Sequence, residues 1–218
     1  MGGDMQTATG WVHPRERRVA FDPKIAVASI VPFAVGAAFA HPHLLAAGPL
    51  IAAGAFSAIL LVTLSVSPFA VSYRALGDVV VFLIYGPGIV IGTLLLFGGR
   101  ATSDAVTAGT CIGLLLANVL LVDEIDTGGA KTLAARLGRG ATSIFGFVFA
   151  AAFALPIIMF AAGGSIALLG LLGGVIPADY AVWSLRGQRS RRPITTEAAA
   201  LIACMTAAAG LIALLFLV

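Results

Sequence analysis

The chain has 218 residues, 60% of them hydrophobic and 11% charged, with a mean hydropathy of +1.04 and a formal net charge of +3. A soluble domain carries roughly 25% charged residues, so this chain lacks the polar surface to cover a water-soluble globule. Strand-type alternation is absent, which excludes a transmembrane β-barrel.

Residues 1–23 are polar, with Asp4, Arg15, Glu16, Arg17, Arg18 and Asp22, and hold no apolar core of a signal peptide. They read as a cytoplasmic segment leading into one membrane domain over 24–218. Crossing a bilayer core of about 30 Å takes about 20 helical residues. Seven apolar blocks approach or exceed that length: 25–41, 45–67, 77–97, 105–122, 142–162, 163–183 and 196–218. The predicted fold is therefore all-α, a polytopic transmembrane helix bundle of about seven spans. Glycines such as Gly163-Gly164 and Gly170-x-x-Gly173-Gly174 should let helix backbones approach closely, as packing in lipid requires. Cys111 and Cys204 fall inside spans without metal or redox spacing and read as small packing residues.

The connections are uneven. Those around His41-Pro42-His43, 98–103 and 161–164 are short, whereas 68–76, 123–141 and 184–195 are longer and hold most of the charge. With the N-terminus inside, inner segments contain Arg15, Arg17, Arg18, Lys24, Arg74, Lys131, Arg136, Arg139, Arg186, Arg189, Arg191 and Arg192. Outer segments contain Arg100 alone, out of 13 Lys and Arg residues in all. That bias predicts a multi-pass protein of the cell (inner or plasma) membrane with its N-terminus in the cytoplasm and its C-terminus outside. The basic balance is thus a topology signal, and no nucleic-acid partner is expected. Arg189 to Arg192 read as a topology anchor or a contact for anionic lipid headgroups.

The densest charge lies at the end of the fourth block, in LLANVLLVDEIDTGGAKTLAARLG, residues 115–138. Asp123 and Asp126, at i and i+3, share a face if the helix continues that far. Asn118 lies about a turn and a half before Asp123 and off that face. Asp123, Glu124 and Asp126 repel one another unless a cation or a basic group neutralises them. A hard cation such as Mg²⁺ takes oxygen ligands and is often held by carboxylates together with substrate phosphates. Lys131 and Arg136 follow within reach of a phosphate. The bland alternative is a solvated interfacial loop. His13, His41 and His43 make no metal site. Ser103 and Asp104 read as a helix N-cap, and Asp179 with Tyr180 could line a cavity at the inner end of the sixth block.

The stretch from Asn118 through the acids to Lys131-Thr132-Leu133-Ala134 and Arg136-Leu137-Gly138 resembles the second conserved motif of the UbiA superfamily of intramembrane aromatic prenyltransferases. Tyr73-Arg74-Ala75-Leu76-Gly77-Asp78, continued by Phe82, Gly86-Pro87 and Gly92-Thr93, is similar to the corresponding run of the menaquinone branch, the 1,4-dihydroxy-2-naphthoate polyprenyltransferases. Thr7-Ala8-Thr9-Gly10-Trp11-Val12-x-Pro14-Arg15 is similar to the loop after that family's first Asp-rich motif. The three motifs come in family order. The first motif itself, Asn-x-x-x-Asp-x-x-x-Gly-x-Asp, is represented at most by Gly2-x-Asp4, so the seven spans would match the third to ninth of a nine-helix fold. The second is compressed between Asp126 and Thr132 and lacks a spaced second Asp.

The resemblance implies transfer of a polyprenyl group from a polyprenyl diphosphate to an aromatic acceptor, within the lipid bilayer and as part of quinone biosynthesis. It implies Mg²⁺ on Asp123, Glu124 and Asp126, and diphosphate on Asn118, Lys131, Arg136 and Arg74. Tyr73 would stand at the rim near the donor, and Asp78 would contact or activate the acceptor. Gly86-Pro87 and Pro156 would open room for the isoprenoid chain. From the residues alone, Tyr73-Arg74 is equally an interfacial anchor pair and Gly86-Pro87 a helix kink. A second reading of the whole is a non-catalytic relative that binds isoprenoid or quinone or serves in assembly.

Overall fold

The computed structural model describes residues 23–40, 79, 82–127, 140–186 and 195–217, with backbone alone for 23–29, 123–127 and 186. The described residues form an all-α polytopic bundle. In order they give α1 (Pro23–Phe39), a π-helical turn (Ile84–Gly88) running into α2 (Ile89–Leu96), and α3 (Ser103–Thr127). There follow α4 (Ala141–Ala161), a 3₁₀ segment (Ile166–Gly174) running into α5 (Val175–Arg186), and α6 (Thr196–Leu217). Four stretches are long and apolar enough to cross a membrane: Ser103–Val122, Ala141–Ala161, Ile166–Leu185 and Thr196–Leu217. They match the fourth to seventh predicted blocks. Ile30–Phe39 and Ile84–Leu96 are shorter apolar helices within the first and third blocks. The second, 45–67, lies outside the described residues.

α1 and α2 run in the same direction, and α3 runs opposite to both. Ala40, Leu94, Phe97 and Ala105 form one small buried cluster, so the C-terminal ends of α1 and α2 meet the N-terminal end of α3. Two hairpin turns at this end close in the same way. Gly98 (φ 78°) and Gly163 (φ 93°) occupy the left-handed region, which a side chain would disfavour. The N–H of Gly99 donates to the Leu94 carbonyl (3.0 Å) and that of Gly164 to the Met159 carbonyl (2.9 Å). Gly98 and Gly163 donate to Leu95 and Phe160, both at 3.0 Å. These paired bonds satisfy carbonyls that a helix end otherwise leaves open, and they let the chain reverse within a few residues. We refer to this as the glycine-turn end, and to the opposite one as the charged end.

α3 is the central helix and packs against α1, α2, α4, α6 and the π turn. Cys111, Ile112, Leu115, Leu116 and Val122 are sealed from solvent or nearly so. Lipid offers no hydrophobic drive for such packing, so helices associate by close backbone approach at small residues. A Cβ on Gly86 would lie 2.7 Å from the Gly109 carbonyl oxygen and from the Gly113 Cα, and one on Gly109 would lie 2.8 Å from the Pro87 Cα. Pro87 has no N–H to donate, and Gly86 departs from helical geometry (ψ −108°); the chain passes this point as a π turn. The space at Gly86 is thus filled by α3, and the dipeptide acts here as a kink and a helix crossing.

Three residues per turn govern the segment Ile166–Gly174. Ile166, Leu169, Leu172 and Val175, every third residue, are exposed or half-buried, while Ala167, Leu168, Gly170, Leu171 and Gly174 are buried. In IALLGLLGG each triplet opens with a large residue followed by a small one, which suits a 3₁₀ helix, where i and i+3 eclipse. The small face seats on α6. A Cβ on Gly170 would collide with the Gly210 carbonyl, and one on Gly174 with the Ala203 carbonyl. The free Cys111 and Cys204 are both fully buried within the core.

Candidate functional site

α3 runs beyond its apolar stretch, which ends at Val122, to Thr127. Asp123, Glu124 and Asp126 therefore stand on helical backbone, and Asp123 and Asp126 occupy positions about 60° apart around the axis. Asp123 follows Val119 by four residues, about one helical turn. Glu124 is set about 100° from Asp123.

This placement carries an electrostatic cost. The last turn of a helix has free carbonyls and the negative end of the macrodipole, so each carboxylate there loses about 0.3–1 kcal/mol. α3 has three such acids at its end and no basic residue in its last turn. Carboxylates at such a position are relieved only by a cation or a basic group brought close to them. Among the described residues no group of three His, Cys, Asp or Glu side chains is placed to hold a metal ion. Tyr73, Arg74, Asp78, Lys131 and Arg136 lie outside the described residues.

Asn118 is 1% exposed. Its Nδ2 donates to the Phe145 carbonyl of α4 at 3.3 Å, beside the edge-on rings of Phe145 and Phe149, 4.8 Å apart. Its Oδ1 is buried without a partner. Here Asn118 ties α3 to α4. Replacing Asn118 with leucine removes one weak interhelical bond, worth about 0.6 kcal/mol in a membrane bundle. It also removes an unsatisfied acceptor. Thermal unfolding in detergent should therefore shift by the equivalent of less than about 1 kcal/mol. A larger loss would mean that Asn118 has further partners.

Sequence reasoning misjudged Asp104. Thr102 is the N-cap of α3, its Oγ1 accepting the Ala105 N–H at 3.2 Å. The Asp104 Oδ2 instead accepts the N–H of Ser165, 61 residues on, at 3.1 Å. Ser165 in turn caps the 3₁₀ segment, its Oγ accepting the Ala167 N–H at 3.2 Å. No local spacing signals a partner that distant. On α5, Asp179 is exposed, whereas the Tyr180 hydroxyl is buried without a partner and its ring lies 5.9 Å from Trp183. Only Tyr180 of that pair faces inward. One turn on, Ser184 Oγ and Thr196 Oγ1 form a buried hydrogen bond of 2.7 Å that joins α5 to α6 at the charged end. Its signal in the sequence is a hydroxyl at each side of the 187–194 connection.

No family model, curated protein or solved structure matches this chain.

Proposed function

We propose that this multi-pass membrane protein is a transferase that moves a polyprenyl group from a polyprenyl diphosphate to an aromatic acceptor of the 1,4-dihydroxy-2-naphthoate type. The observation that carries the reading is the carboxylate group of Asp123, Glu124 and Asp126 at the C-terminal end of the central span, where neither the helix dipole nor a basic residue in the last turn neutralises it. The ordered resemblance of three sequence motifs to the UbiA superfamily supplies the chemistry. By the positive-inside rule the charged end is cytoplasmic.

In this reading Asp123, Glu124 and Asp126 would hold Mg²⁺, which would supply charge neutralisation for the leaving diphosphate. Lys131, Arg136 and Arg74 bind the same group by charge-assisted hydrogen bonds. The allylic C–O bond breaks, its electron pair leaves with the diphosphate, and the aromatic ring forms the new C–C bond and gives up a proton. Asp78 orients the acceptor and takes that proton, and Tyr73 closes the rim. The apolar bundle keeps water from the cationic carbon.

The test is transfer of a labelled polyprenyl group to 1,4-dihydroxy-2-naphthoate in membranes carrying the full chain, with Mg²⁺ and with EDTA. Mg²⁺-dependent prenylated product is expected. Absence of both product and Mg²⁺-dependent retention of the diphosphate would overturn the proposal. Retention of isoprenoid without product would favour the second reading, a non-catalytic isoprenoid- or quinone-binding relative. One observation favours that reading: the compression between Asp126 and Thr132.

A further inference from the structure

The geometry points to a conformational device: Ile166–Gly174 is a helix held in 3₁₀ form by a hydrogen-bonded pin at each end of its span, and it winds into an α-helix when either pin opens. Nine residues of 3₁₀ helix is long for a conformation that seldom runs beyond three or four, because its hydrogen-bond geometry is poorer than that of an α-helix. The segment does bond this way at its ends: the Leu168 N–H donates to the Ser165 carbonyl at 3.1 Å and the Val175 N–H to that of Leu172.

The pins explain why the longer form is kept. At the glycine-turn end, Asp104 of α3 holds the Ser165 N–H at 3.1 Å. A Cβ on Gly164 would lie 3.1 Å from the free Asp104 oxygen, so that carboxylate is seated closely against the turn. At the charged end, Ser184 is held by Thr196 at 2.7 Å. Between them Ile166–Leu185 has 20 residues. With nine at about 2.0 Å and eleven at about 1.5 Å the span reaches roughly 35 Å, against roughly 30 Å if all were α-helical.

The small face suits both forms. Ala167, Gly170 and Gly173 align in a 3₁₀ helix, and Ala167, Gly170 and Gly174 align in an α-helix. Contact with α6 at Gly170 and Gly174 can thus persist through the change. Winding shortens the segment by about 4.5 Å and turns one end about half a turn against the other. That motion links the glycine-turn loop to Tyr180 and Ser184 near the charged end.

Nitroxide labels at Ile166, Leu169, Leu172 and Val175 test this, one per protein. The full chain would carry Cys111→Ala and Cys204→Ala and be reconstituted in phosphatidylcholine vesicles, with collision with oxygen as the readout. In the otherwise unaltered chain all four labels should be reached by oxygen, 166 and 175 more than the half-buried 169 and 172. In Asp104→Ala the collision rate at 166 and 169 should fall several-fold while 175 is unchanged. Asp104→Asn, whose amide oxygen still accepts the Ser165 N–H, should retain the starting pattern. Ser184→Ala should instead turn the label at 175 inward. An inward turn in either pin variant supports the device. A starting chain in which the four labels differ as an α-helix requires, or a pattern unchanged in both pin variants, overturns it.

Discussion

Leucine at Gly170 is expected to be the most damaging single substitution in the described bundle, lowering stability by about 3 kcal/mol or more. A Cβ there would meet the Gly210 carbonyl and lie 2.6 Å from the Leu211 nitrogen. These are backbone atoms of a 22-residue helix, so no side-chain rotamer can relieve the overlap. α6 would have to move away as a unit, and the contact is mutual, because a Cβ on Gly210 would collide with the Gly170 carbonyl. Separating the helices would also loosen Gly174 from Ala203 and Ala207. The check is the thermal midpoint of the detergent-solubilised protein followed by size-exclusion chromatography, with Gly92→Ala alongside. Nothing lies within 4 Å of a Cβ on Gly92, so that variant should stay within about 1 kcal/mol of the parent. Equal behaviour of the two variants would remove close backbone packing as the basis of this crossing.

Asp123→Asn combined with Asp126→Asn should lower polyprenyl transfer by at least about 100-fold, since two of three proposed metal ligands lose their charge. The same variant should be more stable than the parent when no Mg²⁺ or diphosphate is present. Removing two carboxylates from the negative end of α3 should stabilise it by about 0.3–1 kcal/mol each. Activity and stability then move in opposite directions, as expected where function maintains an unfavourable charge arrangement. A solvated interfacial loop would give neither effect: mixed charges in water are screened and worth little. Parallel transfer assays and unfolding curves, with and without Mg²⁺, separate the two. A variant as active as its parent would remove these acids from the reaction.

Much of the architecture is legible in composition and block length. Spans from 105–122 onward match described helices because lipid demands a continuous apolar surface about 20 residues long, a property of each segment alone. The 3₁₀ segment was also open to reading, since Ile166, Leu169, Leu172 and Val175 repeat every third residue. An expectation of uniform α-helical spans hides it. The acids at 123–126 were visible as a cluster, but their position on the last turns of α3 was not, since that depends on where the helix stops.

By itself the sequence determined that this protein crosses the membrane several times as helices, and that its carboxylates gather where one span ends. Only the tertiary structure decided which residues meet: Asp104 with Ser165, Ser184 with Thr196, Asn118 with Phe145, and Gly86 with Gly109 and Gly113. The reason is physical. Span formation depends on the transfer of one segment into lipid, whereas these contacts depend on the angle and register at which separate helices cross, and no local pattern of side chains specifies those.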